Sequence, residues 1–181
     1  MARLSLVEEN SQDPVVAEIF GTVKERLDSV PALYRMLAHA PALLQGWVQM
    51  AWPLRHESTT PRALRELVIL RVAQLTDAGY EWHAHLPMAL RSGVTEAQVE
   101  ALRRWSRSDG FSSTERAALR LTDELTTTVD ISEATFADLR DAFSERQIVE
   151  LILTAAFYTC VSRVVRGFGL GAEDLPTPPP G

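Results

Sequence analysis

The chain alternates apolar runs with helix punctuation, and strand signals are scarce. "QDP" sets Asp13 as a cap and Pro14 at a first helical position, where a fixed φ and a missing N–H suit the opening turn. The periodic "VVAEIFGTVKERL" follows as a first helix, and "VPALYRMLAHA" and "PALLQGWVQMAWPL" give a short and a longer one. Thr60 and Pro61 open "PRALRELVILRVAQLTDAG", whose apolar positions leave so little polar surface that burial on most sides is predicted. Gly93 ends the next helix, which carries "YEWHAHLPMA". Thr95 with Gln98, Ser112 with Glu115 and Ser144 with Gln147 are capping boxes, placing helix starts near residues 96, 113 and 145. "ISEATFADLRDAF" spaces Ile131, Phe136, Leu139 and Phe143 as an amphipathic helix. The last long helix, "ERQIVELILTAAFYTCVSRVVRGF", is apolar nearly all round in its middle, so it belongs at the centre of the domain or at a subunit contact. The pattern predicts one all-α helical domain over residues 1–170 and a disordered, Pro-rich tail over 171–181.

Composition narrows the partners. A chain of 181 residues with 46% hydrophobic content fills one core, not two. A net charge of −6 and a pI near 5.2 argue against nucleic acid or anionic lipid and toward small molecules or other protein chains. "MARLSLVEENSQDP" resembles neither a signal peptide nor a membrane span, so a cytoplasmic location is expected. The single cysteine, Cys160, has no partner for an intramolecular disulfide and reads as a small buried hydrophobe.

The chemistry concentrates in "YEWHAHLPMA", residues 80–89. On a helix Glu81 and His85 share a face, whereas His83 points elsewhere. Pro87 crowds the carbonyl of His83 and is expected to loosen or kink the helix at that turn. A carboxylate beside an imidazole favours its charged form, which suits His85 to proton transfer near neutrality. The pair also fits an ordinary solvated i,i+4 contact. Metal binding by Glu81, His83 and His85 is disfavoured, because alternate helical residues diverge. His39, in "LAHAP", falls at a helix C-terminus where partial positive charge is favourable.

The run "RELVILRVAQLTDAGYEWHAHLPMALRSGVTEAQVEAL", with "VPALYRMLAHAPALL" before it and "FSERQIVELILTAAFYTCVSRVVRGFG" after it, resembles the carboxymuconolactone decarboxylase family. That family shares an all-helical fold with alkyl hydroperoxidase D, and the resemblance implies a homo-oligomer, a trimer or hexamer. Peroxidase-type members carry a glutamate, a CxxC pair and a histidine as a proton relay. Glu66 and His85 match the outer members, while the cysteine positions fall on Ala78 and Glu81. Thiol peroxidase chemistry needs a thiolate and a resolving thiol and is therefore not expected.

The resemblance implies instead a cofactor-free decarboxylase acting on a small carboxylated lactone or β-keto acid, as in aromatic compound catabolism. His85 would be the general acid or base, with Glu66 and Glu81 tuning and relaying protons. Arg163 matches a position where the family often has arginine and would bind a substrate carboxylate bidentately. Thr159 and Ser162 stand where the family often has asparagine. Tyr80 and Trp82 are candidate pocket walls, with packing against neighbouring helices the favoured use for Trp82, and His39 joins the candidate substrate contacts. No metal or cofactor is implied. The alternative is a non-catalytic homologue that binds a small ligand or scaffolds a complex.

Overall fold

The computed structural model describes residues 2–27 and 29–175. Among these the regular structure is helical: α1 (Pro14–Leu27), α2 (Ala32–Leu37), α3 (Pro41–His56), α4 (Arg62–Leu75), α5 (Gly79–Arg91), α6 (Glu96–Ala101), α7 (Ser113–Thr128), α8 (Glu133–Ala142) and α9 (Glu145–Phe168). The fold is all-α, as expected.

The local chemistry places the starts. Asp13 Oδ1 accepts from Val15 N–H at 3.0 Å and Val16 N–H at 3.1 Å, satisfying orphan donors of the first turn. All three capping boxes close, with Thr95, Ser112 and Ser144 each accepting from the backbone N–H three residues on. Gly93 at φ +106° and Gly169 at φ +70° take the positive φ that lets α5 and α9 end in tight reversals. The helix expected to continue through Trp105 instead tightens at Leu102 into a 3-10 turn ending at Arg107. Helix α5 carries Pro87 in its interior and continues to Arg91, just short of Gly93.

Helix α4 forms the centre and packs against α5, α7 and α9. Every residue from Leu64 to Leu70 is buried, as its near-continuous apolar run requires. A second, smaller core of Leu67, Leu70, Ala89, Leu102, Trp105 and Leu119 fills the far side of α4 and α5.

Among the described residues α9 is the one helix long and apolar enough to cross a membrane, with mean hydropathy 1.7. Its packing against α4 and α7 accounts for that composition. The burial is one-sided, however: Val149, Leu153, Ala156, Cys160 and Arg163 form an exposed stripe at alternating four- and three-residue steps. Cys160 is therefore exposed, contrary to the buried reading; its helix is apolar on both faces, and the cysteine lies on the outer one.

Of the stretch 171–181 read as a tail, Ala172–Asp174 form a 3-10 turn against α5, with Gly171 N–H donating to Asp174 Oδ2 at 2.9 Å. Residues 176–181 lie outside the described residues.

Candidate active site

Helices α4 and α5 form an antiparallel pair joined by a tight connection in which Asp77 adopts φ +52°. This pairing brings Glu66, one turn into α4, against His85, near the middle of α5. Glu66 Oε2 accepts from His85 Nδ1 at 2.8 Å. The other oxygen, Oε1, forms an ion pair with Arg62, one turn earlier on α4. Glu81 Oε2 lies 3.6 Å from His85 Nε2, across the four-residue step expected for partners on one helix face. Glu66, Glu81 and His85 are all buried.

The two carboxyls sit in opposite electrostatic settings. Burial opposes ionisation of Glu66, but the hydrogen bond and charge of His85, together with Arg62, outweigh it and hold the carboxyl below its ordinary range. Glu81 has no such direct donor; burial pushes its carboxyl up, with Glu66 adding to the effect, against weaker attraction from His85 and Arg55. An ionised Glu66 requires Nδ1 of His85 to carry the donated proton, which in the neutral ring leaves Nε2 as an acceptor facing Glu81. One carboxylate orients the imidazole, and a second carboxyl, whose burial favours its neutral form, faces the other ring nitrogen. Two carboxyls shifted in opposite directions beside one imidazole are suited to proton transfer.

The group opens onto a cavity of about 710 Å³. Glu81 and His85 line it with Tyr34, Tyr80, Tyr158 and Arg55. Tyr158 meets the His85 ring edge-on, with centroids 4.9 Å apart, and burial pushes its phenol up out of reach of ionisation at neutral pH. Tyr80 is likewise shifted upward, chiefly by burial. Leu27, Leu33, Trp47 and Phe157 supply apolar wall, and Ala172, Glu173 and Leu175 from the C-terminal segment complete it.

Not every residue singled out from the sequence arrives here. Tyr80 lines the cavity as expected. Trp82 does not: one residue on from Glu81 is a rotation of about 100° around the helix, and the indole packs against the second core. Arg163 is exposed on the outer face of α9, away from the cavity, and among the described residues it reaches its own helix at the Thr159 carbonyl, 3.5 Å away. His39 is also exposed and outside the cavity; its Nε2 donates to the Ser5 carbonyl at 2.8 Å. His83, expected to point elsewhere, lines the cavity while exposed, and its Nδ1 donates to the Gly79 carbonyl at 2.7 Å.

Arg55, Tyr34 and Tyr158 went unread in the sequence. A signal for Arg55 was present, since Trp47, Ala51 and Arg55 follow one another at four-residue steps and all three face the cavity.

Residues 41–124 match the model of the carboxymuconolactone decarboxylase family. The uncharacterized protein YdfG of Bacillus subtilis (strain 168) is 29% identical over 99 residues, which span 54% of this chain and 67% of that protein. Among solved structures, the debrominase Bmp8 in complex with 2,3,4-tribromopyrrole superposes with a TM-score of 0.78 at 18% identity, over 93% of this chain and 92% of that one. An uncharacterized peroxidase-related protein from Silicibacter sp. TM1040 gives a TM-score of 0.78 at 20% identity, over 93% and 90% of the two chains. An alkylhydroperoxidase AhpD core protein from Ralstonia eutropha JMP134 gives 0.79 at 18% identity, again over 93% and 90%. At these identities the structural likeness establishes the fold alone.

Proposed function

From the match of residues 41–124 to the carboxymuconolactone decarboxylase family, we propose that the chain is a member of it and a cofactor-free carboxy-lyase acting on a carboxylated lactone or a related β-keto acid. The observation that carries this reading is the buried Glu66–His85–Glu81 group opening onto a cavity with Arg55 in its wall. The substrate carboxylate meets Arg55, the role first expected of Arg163. The carbon–carboxylate bond breaks heterolytically and CO₂ departs. The electron pair left behind is delocalised onto the lactone or keto oxygen, so no electron acceptor beyond the substrate is needed. His85, its ring held by Glu66, manages the proton that the resulting enolate carbon must gain, and Glu81 is the neutral acid that resupplies it. Solvent restores the proton to Glu81 at the end of the cycle.

The chain has one cysteine, and it is exposed on α9 outside this cavity, so the reading needs no thiol. We further propose that the exposed stripe of α9 is a self-association face, giving a trimer or hexamer in solution.

The test is CO₂ release by the purified protein from a panel of carboxylated lactones and β-keto acids, with His85→Gln alongside. Loss of a positioned general acid or base lowers rates on the order of a hundred- to ten-thousand-fold. A folded His85→Gln variant with near-normal turnover refutes the mechanism. Tight binding across the panel with no CO₂ from any member favours the non-catalytic ligand-binding alternative.

A further inference from the structure

Arg55 is a cation with unmet hydrogen-bonding capacity. Its Nε is buried without a hydrogen-bond partner. One terminal nitrogen, Nη2, lies 3.5 Å from Met88 Sδ, a weak acceptor, and the phenols of Tyr158 and Tyr34 are its nearest polar influences besides. Among the described residues no carboxylate forms an ion pair with it. Glu66 is taken by Arg62 and His85, and Glu81 faces His85. A guanidinium in this position presents its planar fork to an incoming carboxylate, for which two parallel N–H···O bonds are the matching geometry. A buried donor left unpaired is unfavourable, so an anion that supplies the missing acceptors gains more here than at an exposed arginine. Arg91, also in the cavity wall, is solvent-exposed and lacks that advantage.

The rest of the cavity is shaped for something other than charge. Its volume of about 710 Å³ lies in the upper part of the range typical of sites for drug-sized ligands, roughly 300–1,000 Å³. A carboxylate head fills little of it. Leu27, Leu33, Trp47, Ala51, Phe157 and Val161 form an apolar wall beside the polar end, and Trp47 and Phe157 meet at a centroid distance of 5.0 Å with their planes tilted by 50°. Two rings tilted to one another in this way give an angled, polarisable wall that an aromatic ligand body can meet face-on at one ring and edge-on at the other.

We infer that the site selects an amphipathic monocarboxylic acid, its carboxylate held on the Arg55 fork and a planar, apolar body of bicyclic size packed along Trp47 and Phe157. This rests on the carboxy-lyase reading for the fate of the carboxylate and extends it by setting the substrate class beyond a compact lactone.

Binding can be tested without turnover, by calorimetry on the intact protein with acetate, benzoate, 2-naphthoate and 2-naphthamide as probes. 2-Naphthoate is expected to bind at least about tenfold more tightly than acetate, from the apolar area it buries. It is also expected to bind at least about tenfold more tightly than 2-naphthamide, which keeps the body and removes the charge. Arg55→Gln should abolish the preference for acid over amide, Arg55→Lys should restore part of it, and Phe157→Ala should weaken 2-naphthoate while leaving acetate unchanged. If Arg55→Gln fails to fold, the acid–amide comparison on the wild type decides the point. Equal affinity for acid and amide, equal affinity for acetate and 2-naphthoate, or no heat from 2-naphthoate at millimolar concentration overturns the inference. Selective binding of 2-naphthoate without CO₂ release from any lactone or keto acid refutes the lyase reading and leaves this one standing.

Discussion

Replacing Glu150 with Gln isolates one buried carboxylate that holds the start of α4 in place. From α9 its two oxygens accept Thr59 N–H at 2.9 Å, Thr60 N–H at 2.8 Å and the Thr60 hydroxyl at 2.7 Å, with Arg146 Nε donating at 3.0 Å. Burial alone would raise this carboxyl, but the donors from Thr59, Thr60 and Arg146 outweigh it and hold it down to about 2 from an ordinary 4.5. A drop of about 2.5 pH units, at about 1.36 kcal/mol each, sets a ceiling of roughly 3 kcal/mol on the stability this ionised group contributes. Gln keeps one acceptor oxygen, so the expected loss in Glu150→Gln is about 2 kcal/mol. Because the folded carboxyl is the stronger acid, the contribution is complete above pH 4.5 and disappears as pH falls from there to about 2. Urea unfolding of both proteins from pH 7 to pH 2.5 measures it. The two stabilities should differ by a constant amount above about pH 5.5 and converge at the acid end. A difference under about 0.5 kcal/mol at pH 7, or one that persists undiminished at pH 2.5, refutes the reasoning.

Glu81 carries the opposite sign. Its raised folded value means that ionisation is unfavourable inside the protein, so stability is fullest below 4.5 and declines as pH rises through the folded value. Glu81→Gln should therefore raise the unfolding midpoint at pH 7 while lowering CO₂ release, and a variant less stable than wild type at pH 7 contradicts the assignment. Arg163→Ala should leave turnover within about twofold, since the guanidinium lies on the outer face of α9; a loss comparable to that of His85→Gln would restore it to the site. Cys160→Ser should keep full activity, checked by the same CO₂ assay, and abolition of turnover by alkylation of a still-folded protein would show the opposite. Light scattering at micromolar concentration should give the mass of a trimer or hexamer, and Leu153→Glu on the exposed stripe should reduce it to that of a monomer; a monomeric wild type rules out self-association.

Wherever a local rule was decisive, the sequence was legible. The three capping boxes and the Asp13–Pro14 start are short-range chemistry, and each sits where its side chains require. The Glu81–His85 pairing is likewise local, following from a four-residue step on one helix. Glu66 meeting His85 is not local, and only the family resemblance foretold it. The failures share a cause: which face of a helix turns inward is set by neighbouring helices. In α9 both faces are apolar, so composition gave no direction, and Cys160 and Arg163 were assigned inward when they lie outward. Trp82, offered as a pocket wall by adjacency to Tyr80 and Glu81, takes the packing use favoured for it, because one residue of helix turns a side chain toward a different core. Arg55 reaches the site from α3, a helix with no chemistry-bearing motif to draw notice.

The antiparallel joining of α4 and α5 also bears on the order in which the chain acquires its parts. Glu66 and His85 are 19 positions apart, whereas Glu150 grips Thr60 across 90. Closing the shorter loop loses less chain entropy, and contacts of low sequence separation form early on the way to the native state. The histidine and its orienting carboxylate thus belong to a helical hairpin that can assemble before α9 arrives, while Phe157, Tyr158 and the 172–175 segment join the cavity wall only when the C-terminal part docks. Amide exchange should show the protons of α4 and the following helix closing to solvent sooner during refolding than those of the C-terminal wall, so that the acid–base machinery exists in time before the chamber that surrounds it.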